Sequence, residues 1–94
     1  MRTYILKDLF IEGLEEGINY NQSYLKIYGA ENCGWTIDIE YPGQKDIFIA
    51  AAYYGKELEV TFSTIYATDI KGIVEVNKVQ SNSNYVQLNG IGLL

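Results

Sequence analysis

The feature that most constrains this chain is a change of hydrophobic period at residue 23. From Ser23 onward, side-chain character alternates with a period of two, and β-branched and aromatic residues recur between turn signals. That is the pattern of an antiparallel meander. Its clearest stretch sets Trp35, Ile37, Ile39 and Tyr41 on one face and Thr36, Asp38 and Glu40 on the other, as expected when one side of a strand meets a core and the other meets water. Residues 57–66 repeat the motif, with Leu58, Val60, Phe62, Thr64 and Tyr66 alternating against Glu57, Glu59, Thr61 and Ser63.

The remaining segments fill in around these two strands. Ser23 to Tyr28 is expected as a strand, followed by a turn from Gly29 to Gly34 with two glycines available for positive φ. Pro42-Gly43 predicts a type II turn after Tyr41. Asp46 to Tyr54 is apolar on both faces, which predicts a central strand covered on both sides. Ile73 to Gln80 and Asn84 to Asn89 are expected to pair as a hairpin across a loop rich in Ser and Asn, and Gly90 to Leu94 to join an edge or fray. Before residue 23, Leu6, Leu9, Phe10 and Leu14 form the stripe of a short helix over 6–16, stopped by Gly17. Gly13 and the misplaced Glu15 and Glu16 oppose that helix, and a strand through Thr3 to Phe10 is the rival. The expected fold is α+β: one short N-terminal helix packed on a five- to six-stranded antiparallel, curved sheet or partly closed barrel.

Residues 1–94 are expected to be a single domain. The chain is 48% apolar and 20% charged, a globular composition, and its length suffices for a core without disulfide or metal. No apolar stretch near the start suits a secretory signal, and none approaches a membrane span. Cys33 is the lone cysteine, which together with these points predicts a cytoplasmic protein.

Chemistry is constrained by what is missing. The sequence has no histidine, so nucleophile systems that rely on imidazole are excluded. The nine glycines supply neither a phosphate-binding nor a dinucleotide-binding loop. One cysteine cannot build a tetrahedral zinc site, no EF-hand-type loop is present, and nothing near Cys33 explains a lowered thiol pKa. Paired carboxylates remain: Asp38 with Glu40, and Glu57 with Glu59, each two residues apart and so on one face of a strand. Such a set could serve glycoside hydrolysis, but a chain this short offers little room for the necessary cleft. The expectation is therefore a non-enzymatic protein without cofactor or metal.

Twelve acidic against seven basic residues give a net charge of −5, which repels nucleic acid and anionic lipid and favours a basic protein partner. Tyrosine suits interface cores, and nine occur here. The expected contact surface is Asp38, Glu40, Glu57 and Glu59 with Tyr41 and Tyr54. Residues 23–27, followed by Glu31-Asn32-Cys33-Gly34-Trp35-Thr36-Ile37-Asp38-Ile39, resemble a hairpin of small immunity proteins from bacterial polymorphic-toxin systems, where a strand leads through an acidic-Asn-x-Gly-Trp turn into an alternating strand. The likeness covers about 20 residues by direct reading of these segments, does not extend to the second half, and carries over only Asn32, Gly34 and Trp35, which read as structural. It implies an inhibitor that binds a toxin; a phage-encoded anti-defence inhibitor of a nuclease has the same profile. The alternative is an assembly module forming a homo-oligomer through a sheet edge or the apolar tail.

Overall fold

The N-terminal segment decides the architecture. The computed structural model describes residues 1–29, 34–79 and 84–94. Within them the elements are β1 (Arg2–Ile5), β2 (Asp8–Ile11), β3 (Gln22–Tyr28), β4 (Gly34–Glu40), α1 (Lys45–Tyr54), β5 (Glu57–Ser63), β6 (Ile70–Lys78) and β7 (Tyr85–Ile91). The strands form one antiparallel sheet in the order β1-β3-β4-β7-β6-β5-β2. β1 and β2 are consecutive in the chain yet stand at opposite ends of this order. The two residues between them make the join: the Leu6 N–H donates to the Ser23 carbonyl of β3 at 2.9 Å, and the Lys7 N–H donates to the Ser63 carbonyl of β5 at 2.7 Å. The sheet therefore curls until both edges meet on one segment, giving a partly closed barrel.

This corrects the expected fold in two places. There is no N-terminal helix; residues 2–11 are the two edge strands, which brings the number of strands in the described residues to seven. Leu9 and Ile11 are buried while Phe10 between them is exposed, a strand's alternation, and Gly13 turns the chain at φ +95°, a conformation glycine adopts freely. The helix instead occupies 45–54, where a central strand was expected. Alanine is the best helix former, and Ala50-Ala51-Ala52 lies in this run; Phe48 and Ala51, three apart, are its buried stripe. Gly55 closes the helix in the left-handed conformation, its N–H bonded to the Ala52 carbonyl and that of Lys56 to the Ala51 carbonyl. Residues 42–43 thus lead into a helix rather than back into a strand. The side-chain amide of Gln44 fixes its start, donating to the Gly17 carbonyl at 3.0 Å and accepting from the Asn19 N–H at 2.9 Å.

The later strands fall close to their expected positions, and β6 pairs with β7 as the predicted hairpin. β5 stops at Ser63 rather than reaching Tyr66, because the Thr64 hydroxyl accepts the N–H groups of Tyr66 and Ala67 and bends the chain. The predicted turn at 29–34 and the loop at 81–84 lie largely outside the described residues, as do Glu31, Asn32 and Cys33.

Inside the curl, Leu9, Ile37, Ile39, Phe48, Phe62, Val74, Val86 and Leu88 are fully buried. Trp35 fills one end. Its indole lies flat over two neighbouring strands at glycine positions: a Cβ at Gly90 would stand 2.0 Å from the ring, and one at Gly72 2.6 Å from it. Its Nε1–H donates to the Gly92 carbonyl at 3.1 Å, so the ring's polar atom is satisfied within the core. The C-terminal residues are tied in by this bond, and Leu94 packs against the core rather than fraying.

Candidate functional site

The outer surface of the curled sheet divides into two halves with different chemistry. On β3, β4 and β7 the centre is Asp38. It occupies an outward position of β4, opposite Tyr24 of β3 and Gln87 of β7, yet only 2% of it is exposed. The Lys26 ammonium lies 2.7 Å from Oδ2 and the Gln87 side-chain amide donates to Oδ1 at 3.1 Å. The Tyr85 hydroxyl also bonds the carboxylate, and Asn77 donates to Gln87 Oε1 at 2.7 Å, carrying the network on to β6. Burial by itself would push the Asp38 carboxyl up, but the hydrogen bonds from Lys26, Tyr85 and Gln87, with the charge of Lys26, outweigh it and hold the group below the ordinary carboxylate range. The same contacts hold the Lys26 ammonium above its usual value. Burial first, then the bond to Asp38, pushes the Tyr85 phenol well up. Asp38 is thus ionised, neutralised from within and covered.

Glu40, two residues along β4, is half-buried and stands opposite Gln22 and Tyr85. Tyr41 leaves the strand at φ 56°, exposed, with its N–H bonded to the Asn84 carbonyl at 2.7 Å. Tyr54 is exposed at the end of α1, edge-on to Tyr53 at 4.9 Å.

The second half lies on β2, β5 and β6. Glu57 and Glu59 are fully outward on β5, and β7 and β6 intervene between them and β4. The two carboxylate pairs are therefore three strand spacings apart, roughly 14 Å along a curved surface. They share the outer face but not one patch. What Glu57 and Glu59 meet instead is further acid: Glu57 pairs directly with Glu75 of β6, and the Glu12 N–H bonds to the Glu59 carbonyl at 2.9 Å, setting Glu12 beside Glu59. All four are exposed, and none makes an ion pair among the described residues. Beside them a shallow cavity of about 500 Å³ is lined by Glu12, Glu59, Lys71, Ile73, Ile91 and Leu93, so acidic and exposed apolar groups adjoin. Sequence reasoning missed Glu12 and Glu75. The alternation that exposes Glu75 was legible, but its pairing with β5 was not, and Glu12 was assigned to a helix.

No cluster of three or more His, Cys, Asp or Glu among the described residues is placed to hold a metal ion. No described helix is long and apolar enough to cross a membrane. No protein-family model, no curated protein and no solved structure matches the chain. The protein is defined by its own geometry: a small α+β fold built on a curled seven-stranded antiparallel sheet with one acidic and one internally neutralised outer half.

Proposed function

We propose that this is a non-enzymatic binding protein of immunity or anti-defence type, which occupies a basic surface of a protein partner. Glu57 and Glu59 are its contact residues, joined by Glu12 and Glu75, while Asp38 serves as the internal counter-ion that orders Lys26 and Tyr85 on the opposite half. Glu40, Tyr41 and Tyr54 border these surfaces.

One observation carries the reading. Glu57 and Glu75 stand directly opposite each other on adjacent strands, and neither makes an ion pair among the described residues, an arrangement that destabilises a sheet. A surface rich in Lys or Arg would turn that repulsion into attraction, and its complementary field would speed encounter. The adjoining Ile73, Ile91 and Leu93 supply apolar area beside the charge.

The test is affinity capture from the native cell with the full chain, followed by the double charge reversal Glu57→Lys/Glu75→Lys. Capture of a basic protein that is lost on reversal, and weakened by salt, supports the reading. Binding indifferent to both, or turnover of any compound by the purified chain, overturns it.

A further inference from the structure

β1 is an edge strand with half of its backbone unused. The Leu6 N–H bonds the Ser23 carbonyl, and antiparallel ladders alternate bonded with non-bonded pairs, so the bonded residues of this segment are Leu6, Tyr4 and Arg2, opposite Ser23, Leu25 and Ile27. Thr3 and Ile5 accordingly turn their N–H and C=O groups away from β3, and no other backbone group takes them up among the described residues.

Across the gap lies the connection from β5 to β6. It does not need the β1 edge, because it closes on itself: the Thr64 N–H bonds the Ala67 carbonyl at 2.8 Å, and the Ser63 hydroxyl accepts the Asp69 N–H at 3.1 Å. The two sides touch at Lys7 and Ser63 and again where the Tyr66 ring meets Tyr4 edge-on at 5.8 Å. Between and beyond these points the seam is open. A cavity of about 300 Å³ runs beside Thr3, Ile5, Lys7 and Ile65, and one of about 490 Å³ lies over Leu25, Ile27, Ile70 and Leu94 with Arg2 at its margin. Ile5 is 60% exposed, Ile65 75% and Tyr66 76%.

We propose that this seam receives an extended segment of a partner protein, with alternating apolar and carboxylate side chains, which adds to the sheet as a strand along β1. Thr3 and Ile5 supply the main-chain pairing, and the two cavities accept side chains from alternate faces of the incoming strand. Charge selects the occupant. Among the described residues, the side chains lining the two cavities include the exposed Lys7 and no Asp or Glu, which suits an acidic segment. A second copy of β1 would bring a second Lys7 to the same seam. This surface is separate from the acidic face on β2, β5 and β6 and draws a partner of opposite charge.

The test titrates the full-length chain with the synthetic peptide acetyl-Val-Glu-Val-Glu-Val-Glu-amide while amide signals are followed by NMR. Expected are shifts centred on Thr3 and Ile5 with slower exchange of their amides, and affinity at least about tenfold weaker for the same peptide with Lys in place of Glu. Ile5→Pro removes a donor that β3 does not use, so it should leave the fold intact and weaken binding about tenfold or more. Tyr66→Ala, which clears the seam, should tighten it several-fold. Should the proline variant unfold, a peptide N-methylated at alternate residues decides the matter on the unaltered protein, since it should fail to bind. Shifts centred on Glu57 and Glu59, equal binding of the Lys peptide, full affinity of a folded Ile5→Pro or of the methylated peptide, or dimerisation through β1 in place of peptide binding would each overturn the proposal.

Discussion

Asp38–Glu40 and Glu57–Glu59 have the same spacing, lie on the same outer face of one sheet and meet opposite fates. Asp38 is buried beneath long neighbours, because the flanking strands present Tyr24 and Lys26 on one side and Tyr85 and Gln87 on the other. Glu57 and Glu59 have Glu12, Ile73 and Glu75 as neighbours and Lys71 on the adjoining cavity, and among the described residues none of these forms an ion pair with them. An outward position on a strand is thus not the same as an exposed one. What decides is the reach and charge of the side chains one strand away, the unit by which sheets are stabilised.

The largest effect should come from breaking the covered pair. Lys26→Met leaves Asp38 buried with its neutral donors alone, and we expect a loss of about 2 kcal/mol in urea unfolding, below the usual cost of orphaning a buried charge because Lys26 is itself about a third exposed. Asp38→Asn, which keeps the shape but removes the charge, should cost about 1 kcal/mol by the same measurement.

A second approach is through pH. The folded Asp38 carboxyl lies below its unfolded value, so the unfolded chain binds more protons across that interval. The stability it contributes is complete above about pH 4 and is lost as pH falls toward the folded value. Tyr85 and Lys26 are shifted upward, so their contribution is complete below about pH 10 and is lost as pH rises beyond it. Chemical denaturation across both windows should show the acid slope flattened in Asp38→Asn and the alkaline slope flattened in Tyr85→Phe.

The smallest effect has the opposite sign. Glu75→Gln relieves the like-charge pair and should raise stability by about 0.5 kcal/mol at low salt, with the gain shrinking as salt is added. A loss of stability there, or a gain of stability in Lys26→Met, would erase the contrast between the two halves.

How much of this could be read from the chain varies with the range of the interactions involved. Leu58, Val60 and Phe62 are buried as their alternation implied, and so are Trp35, Ile37 and Ile39. The segment from Leu6 to Leu14 misled, since apolar residues at offsets of three, four and eight suit a helix stripe. Instead Leu9 and Ile11 lie on one strand, β2, and are buried beside Phe62 and Val60 of β5, and Gly13 was the visible sign against a helix. In residues 46–54 a run of β-branched and aromatic residues masked the alanine triplet and the Gly55 stop, because a short apolar run suits either a covered strand or a buried helix face. Tyr41, expected beside Trp35, leaves the strand one residue early. For the candidate site, the acidic character of Glu57 and Glu59 was legible, but the company they keep was not.

By itself the sequence determined the sheet: period two is a property of a single extended strand, and β-branched and aromatic residues enforce it with neighbours close at hand. It also determined the absence of imidazole chemistry, which no fold can restore. Strand order, the closure at Leu6 and Lys7, the unused edge of β1 and the separation of one carboxylate pair from the other were decided only by tertiary structure. Those features depend on which distant segments pair, and pairing is settled by the packing of the whole core rather than by any stretch read alone.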